Sequence, residues 1–198
     1  MPQYINLNLP NSKIIYFPNF FNKKDSDYYF SKLKNLSDWD QLSCVIFGKK
    51  KFFKRLNCAY SNNGSLKYYY TGRETLSKKF PNFILEIKKK IEKFLCNEFK
   101  FNFCLLNYYR NGKDYISMHS DNIKNLEESS LIVSISFGEK RKFKIHNKDG
   151  YIKKNIILDN GSLLIMDLKM QKYYKHGISI ENKKNNGRIS LTFRQIKK

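Results

Sequence analysis

The last hundred residues break into eight short strand-like runs, and this pattern limits the fold more than any other feature of the chain. The runs span 101–109, 115–119, 131–137, 141–146, 151–158, 162–167, 173–180 and 188–196, with ends placed to within roughly two to four residues. Turn-forming residues separate them. Eight short strands in succession predict a β-sandwich or a jelly roll.

The first hundred residues read differently. Residues 22–39 predict a helix that Asn22 can cap, with Asp25 in its first turn and Tyr29, Phe30, Leu33 and Leu36 at helical spacing. Residues 41–72 predict strands and turns, with Cys44-Val45-Ile46-Phe47 and Leu66-Lys67-Tyr68-Tyr69-Tyr70 as strands and Asn62-Asn63-Gly64 as a turn between them. A second helix starts near Pro81. Its apolar stripe is Phe83, Ile84, Ile87, Ile91, Phe94 and Leu95, and its other face is Lys88, Lys89, Lys90, Glu92 and Lys93. No repeat and no Pro/Gly/Ser linker divides the chain. The expected fold class is therefore α+β, in one domain, with helices first and a β-rich second half.

Composition bears on what such a domain meets. Lys plus Arg is 38 against 17 for Asp plus Glu, a net charge of +21, while 41% of residues are hydrophobic and 16% aromatic. That apolar load excludes a disordered polycation. A basic, aromatic-rich globule points to polyanions, with nucleic acid ahead of a membrane surface. A Lys- and Asn-rich composition also suits an AT-rich viral or protist genome. Cys44, Cys58, Cys96 and Cys104 form no Cys-x-x-Cys pair, no signal peptide is seen, and no run has the length of a membrane span. The expectation is a monomer with free thiols inside the cell, in nucleus or cytoplasm.

The chain has three histidines: His119, His146 and His176. In Met118-His119-Ser120-Asp121, positions 119 and 121 can face one way from the end of a strand. With a second imidazole from another strand, two His and one carboxylate occupy one face of an octahedral Fe(II) and leave positions open for a co-substrate and O₂. His176, on a later strand, can be that second ligand. On spacing alone the same residues also read as a loop pair and a satisfied core histidine. His146 reads as an edge or surface residue. In Arg188-Ile189-Ser190-Leu191-Thr192-Phe193-Arg194, both arginines share one strand face. Facing inward, they would suit a dicarboxylate such as 2-oxoglutarate. On an edge strand they would instead reach solvent.

Leu106-Asn107-Tyr108-Tyr109-Arg110-Asn111-Gly112, His119-Ser120-Asp121, Ile132-Val133-Ser134-Ile135-Ser136-Phe137-Gly138, Asn160-Gly161-Ser162-Leu163-Leu164, His176 and Leu191-Thr192-Phe193-Arg194 occur in that order. Together, over residues 42–196, they resemble the AlkB family of Fe(II)/2-oxoglutarate-dependent dioxygenases, most of all its duplex-DNA alkylation-repair members. The resemblance implies a double-stranded β-helix with N-terminal helices on one side. It divides the single domain into 1–100, helices and nucleotide-recognition strands, and 101–198, the double-stranded β-helix core.

The resemblance also implies site roles. His119, Asp121 and His176 would bind Fe(II). Arg188, helped by Tyr109, would take the distal carboxylate of 2-oxoglutarate, and Arg194 with Asn107 would hold its keto-acid end, with Ser190 nearby. Tyr68 and Tyr70 would cover a flipped base, and Phe47 in Ile46-Phe47-Gly48 would fill the hole it leaves. Arg55 would lie at the lesion, Asn122 beside it, and Lys183 and Lys184 would meet the opposite strand. The implied reaction is oxidative demethylation of bases such as 1-methyladenine and 3-methylcytosine in single- or double-stranded DNA. It would release formaldehyde, succinate and CO₂. RNA or protein oxygenases of the same fold, and a non-catalytic nucleic-acid-binding module, are the alternatives. Three positions depart from the family. Asn122 and Ile123 stand where it carries an acid that accepts a hydrogen bond from an exocyclic amine, and Ser190 stands where it carries Asn.

Overall fold

The computed structural model describes residues 3–70 and 73–197. Strands β1 (Ile5–Asn6) and β2 (Ile14–Phe17) precede helix α1 (Lys23–Lys34). Then come β3 (Ser43–Ile46), β4 (Lys49–Phe52), β5 (Leu56–Ser61), β6 (Lys67–Tyr70), β7 (Arg73–Leu76) and β8 (Lys78–Lys79), followed by helix α2 (Asn82–Phe94). The second half holds β9 (Phe103–Tyr109), β10 (Ile116–His119), β11 (Ile132–Gly138), β12 (Arg141–Asn147), β13 (Lys153–Leu158), β14 (Ser162–Met166), the short helix α3 (Leu168–Tyr173), β15 (Tyr174–Ile178) and β16 (Arg188–Arg194). Among the described residues no helix is long and apolar enough to cross a membrane.

Each of the eight predicted strands corresponds to one of β9–β16. Four enter an eight-stranded sheet of order β1-β2-β14-β11-β16-β9-β5-β8, and four form a second sheet of order β10-β15-β12-β13. This is a jelly roll, the double-stranded β-helix. The larger sheet does not begin at residue 101, however: β1, β2, β5 and β8 come from the first hundred residues and extend it on both sides.

The helices lie where their apolar stripes require. Ile84, Ile87 and Ile91 of α2 and Leu33 of α1 are fully buried in one cluster with Cys104, Leu106, Val133, Ile135, Phe137, Ile189, Leu191 and Phe193. The last eight are alternate residues of β9, β11 and β16, so this cluster is the outer face of the large sheet. Asn22 caps α1 as expected, accepting a hydrogen bond from the Asp25 N–H at 2.8 Å. The helix ends at Lys34 rather than 39, and the Trp39 indole donates to the Leu33 carbonyl at 3.0 Å.

The other residues of β16, Arg188, Ser190, Thr192 and Arg194, face the interior between the two sheets. Register places Arg188 opposite Tyr109 and Ser190 opposite Asn107 on β9, and Ser190 opposite Ser136 on β11. These polar residues line one wall of the barrel because strand pairing aligns them.

Candidate metal centre

The small sheet brings the two site histidines together. His119 ends β10 and pairs directly with His176 on β15, and their rings lie 4.5 Å apart between centroids. Asp121 follows two residues after His119. Its Oδ1 is 3.5 Å from His119 Nε2 and 3.8 Å from His176 Nε2. These are the only three His, Cys, Asp or Glu residues among those described whose ligand atoms cluster closely enough for one ion.

The surroundings fix each donor. His119 Nδ1 lies 2.9 Å from the Ser117 carbonyl, which places the proton on Nδ1 and leaves the Nε2 lone pair facing Asp121. Arg194 Nη2 donates to Asp121 Oδ2 at 2.7 Å, so the other carboxylate oxygen is turned towards the histidines. The Asp121 N–H donates to Gln171 Oε1 at 2.8 Å, and Gln171 is itself buried on α3. The Phe143 ring stacks on His176 at 5.2 Å.

Burial and charge set the protonation states. Burial would raise the Asp121 carboxyl. The Arg194 guanidinium, with the two imidazoles beside it, outweighs burial and holds the carboxyl well below the usual carboxylate range. Burial, reinforced by His119, pushes His176 down to about 3, against a partial offset from Asp121. At neutral pH the cluster is therefore one carboxylate and a neutral His176, the state a metal needs. This donor set fits Fe(II).

The cluster opens onto a small cavity between the sheets. Asn107, Tyr109, Ser134, Arg188, Ser190, Thr192 and Arg194 supply its polar wall, and Leu105, Ile116, Phe143, Leu158, Met166 and Ile178 its apolar one. Arg188 is 2% exposed. Its Nη2 donates to Ser136 Oγ at 2.8 Å, while Nε and Nη1 have no hydrogen-bond partner among the described residues. Burial brings its pKa down to about 10, with Tyr109 opposing the shift, so it remains a cation at neutral pH. A buried guanidinium with part of its fork unused calls for an anion with two oxygens. The site fits the distal carboxylate of 2-oxoglutarate.

Other expected site residues are placed as follows. Asn107 lines the cavity, but its Oδ1 accepts from Arg55 Nε at 2.9 Å and Asn57 Nδ2 at 2.7 Å. Arg194 engages Asp121. Arg55 is not a surface group: it is 4% exposed, behind Asn107. Asn122 is exposed, and its Oδ1 accepts the Lys124 N–H at 3.0 Å. Lys183 is exposed, whereas Lys184 is tied to Glu139 at 3.0 Å. Phe47 does not end a strand. It is 99% exposed at the tip of the β3–β4 hairpin, with φ of 49°, and Gly48 follows at 73°. Tyr68 and Tyr70 fall on β6, which pairs with β7, and their side chains lie outside the described residues. His146 is half-buried on β12, opposite Lys175, away from the cluster. Gln171, Ser136, Asn57 and Phe143 were not foreseen, since each is an ordinary residue until pairing brings it to the site.

A jelly roll that carries two histidines and a carboxylate beside a buried arginine defines a class of metal-dependent oxygenase. The chain belongs to the 2OG-Fe(II) oxygenase superfamily, whose family model matches residues 13–194. Within it, the chain matches AlkB-family proteins. It is 32% identical over 199 residues to "Alpha-ketoglutarate-dependent dioxygenase alkB homolog 3" of Bos taurus, covering 93% of this chain and 66% of that protein. It is 29% identical over 187 residues to "DNA oxidative demethylase ALKBH2" of Bos taurus, covering 89% of this chain and 66% of the relative. The chain thus spans just under two thirds of these relatives. The solved structure of OsALKBH1 shares the fold, with a TM-score of 0.62 at 17% identity over 98% of this chain and 99% of the other. Fe(II) and 2-oxoglutarate are the cofactors that membership brings.

Proposed function

We propose that this protein removes N-linked methyl groups from bases in nucleic acid by oxidation, with Fe(II), O₂ and 2-oxoglutarate. The observation that carries the reading is the His119–Asp121–His176 cluster and the buried Arg188 fork sharing one cavity. The names of the relatives, a dioxygenase and a DNA oxidative demethylase, support it.

The bound iron and 2-oxoglutarate supply oxidation of a methyl C–H bond by O₂, coupled to conversion of the oxo acid to succinate and CO₂. The chain does the rest. His119, Asp121 and His176 hold the metal, with Arg194 keeping Asp121 ionised and oriented. Arg188 and Tyr109 receive the far carboxylate and fix the depth of the co-substrate. The apolar wall of Ile116, Phe143 and Ile178 keeps water from the reacting methyl group. A hydroxylated N-methyl group is a hemiaminal, and its C–N bond breaks to give formaldehyde and the restored base.

The test is demethylation of 1-methyladenine and 3-methylcytosine in four substrates: DNA and RNA, single- and double-stranded. The readout is formaldehyde and the mass of the product base. The expected result is 2-oxoglutarate-dependent restoration in at least one DNA arm, lost in His119→Ala and Asp121→Ala while nucleic-acid affinity persists. Restoration confined to RNA would move the substrate to RNA, and activity retained in both variants would remove the metal assignment.

A further inference from the structure

Only six of the chain's basic residues are arginine. Of the five whose side chains are described, Arg55, Arg141, Arg188 and Arg194 are buried. Three of these four belong to the site already described. Arg141 does not line the cavity, is 0% exposed, and has no role in the reading so far.

Arg141 opens β12 and joins two segments that end near the carboxylate pocket. Its Nη2 donates to the Asp114 carbonyl at 2.8 Å and to the Ser179 carbonyl at 2.6 Å, and its Nη1 to the Asn111 carbonyl at 3.1 Å. Its Nε faces Glu181 Oε1 at 3.4 Å. One guanidinium thus ties the turn after β9 to the segment after β15. Gly112 completes the clamp: its N–H donates to the Lys184 carbonyl at 2.7 Å, and its carbonyl accepts from the Glu181 N–H at 2.9 Å. A Cβ at Gly112 would come within 1.9 Å of the Glu181 carbonyl oxygen, so only glycine fits there.

Tyr109 is the last residue of β9 before that turn. The Arg141 guanidinium carbon is 5.7 Å from the centre of its ring, and that of Arg188 is 5.2 Å from the same ring. Two buried cations therefore meet one phenol, and only one of them has its polar atoms engaged by the clamp. Among the described groups, Glu181 is the carboxylate ion-paired with Arg141, and it is partly exposed.

We propose that Arg141 is a positioning residue for the co-substrate carboxylate: it fixes Tyr109 beside Arg188 and adds a second positive charge behind that pocket. The proposal rests on 2-oxoglutarate being the ligand of Arg188. The charge makes a prediction of opposite sign for two neighbouring changes. Losing Arg141 removes both fixation and charge. Neutralising Glu181 leaves the fixation, because an amide oxygen still accepts from Arg141, and exposes more of the charge.

Calorimetric titration of the full chain with Mn(II), and of the Mn(II)-loaded protein with 2-oxoglutarate, tests this without turnover. Arg141→Met is expected to weaken 2-oxoglutarate binding by on the order of tenfold or more, as loss of a buried charge partner does, with Mn(II) affinity within about twofold of wild type. Arg141→Lys, which keeps the charge without the fork, should fall between. Glu181→Gln should tighten 2-oxoglutarate binding. Unchanged 2-oxoglutarate affinity in Arg141→Met, or a joint fall of metal and 2-oxoglutarate affinity with thermal stability, would reduce Arg141 to a structural residue. If Arg141→Met does not fold, Glu181→Gln decides alone, and weaker or unchanged binding overturns the proposal. Wild-type protein that binds Mn(II) but no 2-oxoglutarate overturns the underlying reading, and no variant is needed to see it.

Discussion

At the scale of single residues, the site is an arrangement of buried charge that protons can disturb. His176 has a pKa of about 3 in the fold, against about 6.5 in an unfolded chain. Between those values the unfolded chain takes up a proton that the folded chain refuses. Stability of the metal-free protein should therefore be full above about pH 6.5 and decline as pH falls towards 3. Asp121, also depressed, adds to the loss at the acid end. Denaturant titrations at several pH values should show this slope, and His176→Asn should flatten its upper part. An equal slope in that variant would assign it to other groups. The triad itself was legible in the sequence, because His-x-Asp places both ligands on one side of a strand end and few histidines compete. Gln171 and Ser136 were not legible. Nothing local distinguishes them, and only the approach of α3 to Asp121 and of β11 to β16 gives them a part.

At the scale of elements, the β3–β4 hairpin carries a contradiction within itself. A two-residue hairpin turn with both φ values positive favours Asn-Gly, yet Phe47 occupies the first position and extends into solvent. Val45 is exposed beside it, and Lys49, Lys50 and Lys51 follow on β4. A bulky ring in left-handed conformation costs on the order of 1 kcal/mol, which argues for a use outside the fold. Phe47→Asn should relieve that strain and stabilise the protein by about 1 kcal/mol in denaturant melts. It should also slow demethylation of duplex DNA more than of single strands, where flipping leaves no gap to fill. Loss of stability instead would show that the ring packs on the fold. Strands such as β9–β16 were readable from their alternation and turns. β5 was not, because its six residues include no Val, Ile or Thr and no turn-forming residue immediately precedes it. β4 reads as a run of charge, and β2 is too short to stand out before its pairing with β14.

At the scale of the whole molecule, the charge is strongly divided by residue type. Lysines cover the surface, and the arginines whose side chains are described, apart from the Asp114-paired Arg110, are interior. A net charge of +21 should make nucleic-acid affinity fall steeply with salt, through release of counterions from the phosphates. Binding isotherms of one oligonucleotide over a range of salt should give a straight log–log plot with a slope of several ions. A slope near zero would mean that the lysines do not meet phosphate.

Strand β16 sits in the middle of the large sheet, between β11 and β9, although its residues are 188–194. On the ribosome β9 emerges some time before it. At about 5–20 residues per second, the intervening stretch takes roughly four to sixteen seconds to synthesise. Through that interval β9, and β11 once it has been made, show an open edge ready to pair with another nascent chain. Arg188 and Arg194 arrive with the same strand that closes the gap, so co-substrate capture and sheet closure become available together. A chain cut short before β16 would not be a weak enzyme. It would be a split sheet, and a substrate for chaperones or proteases.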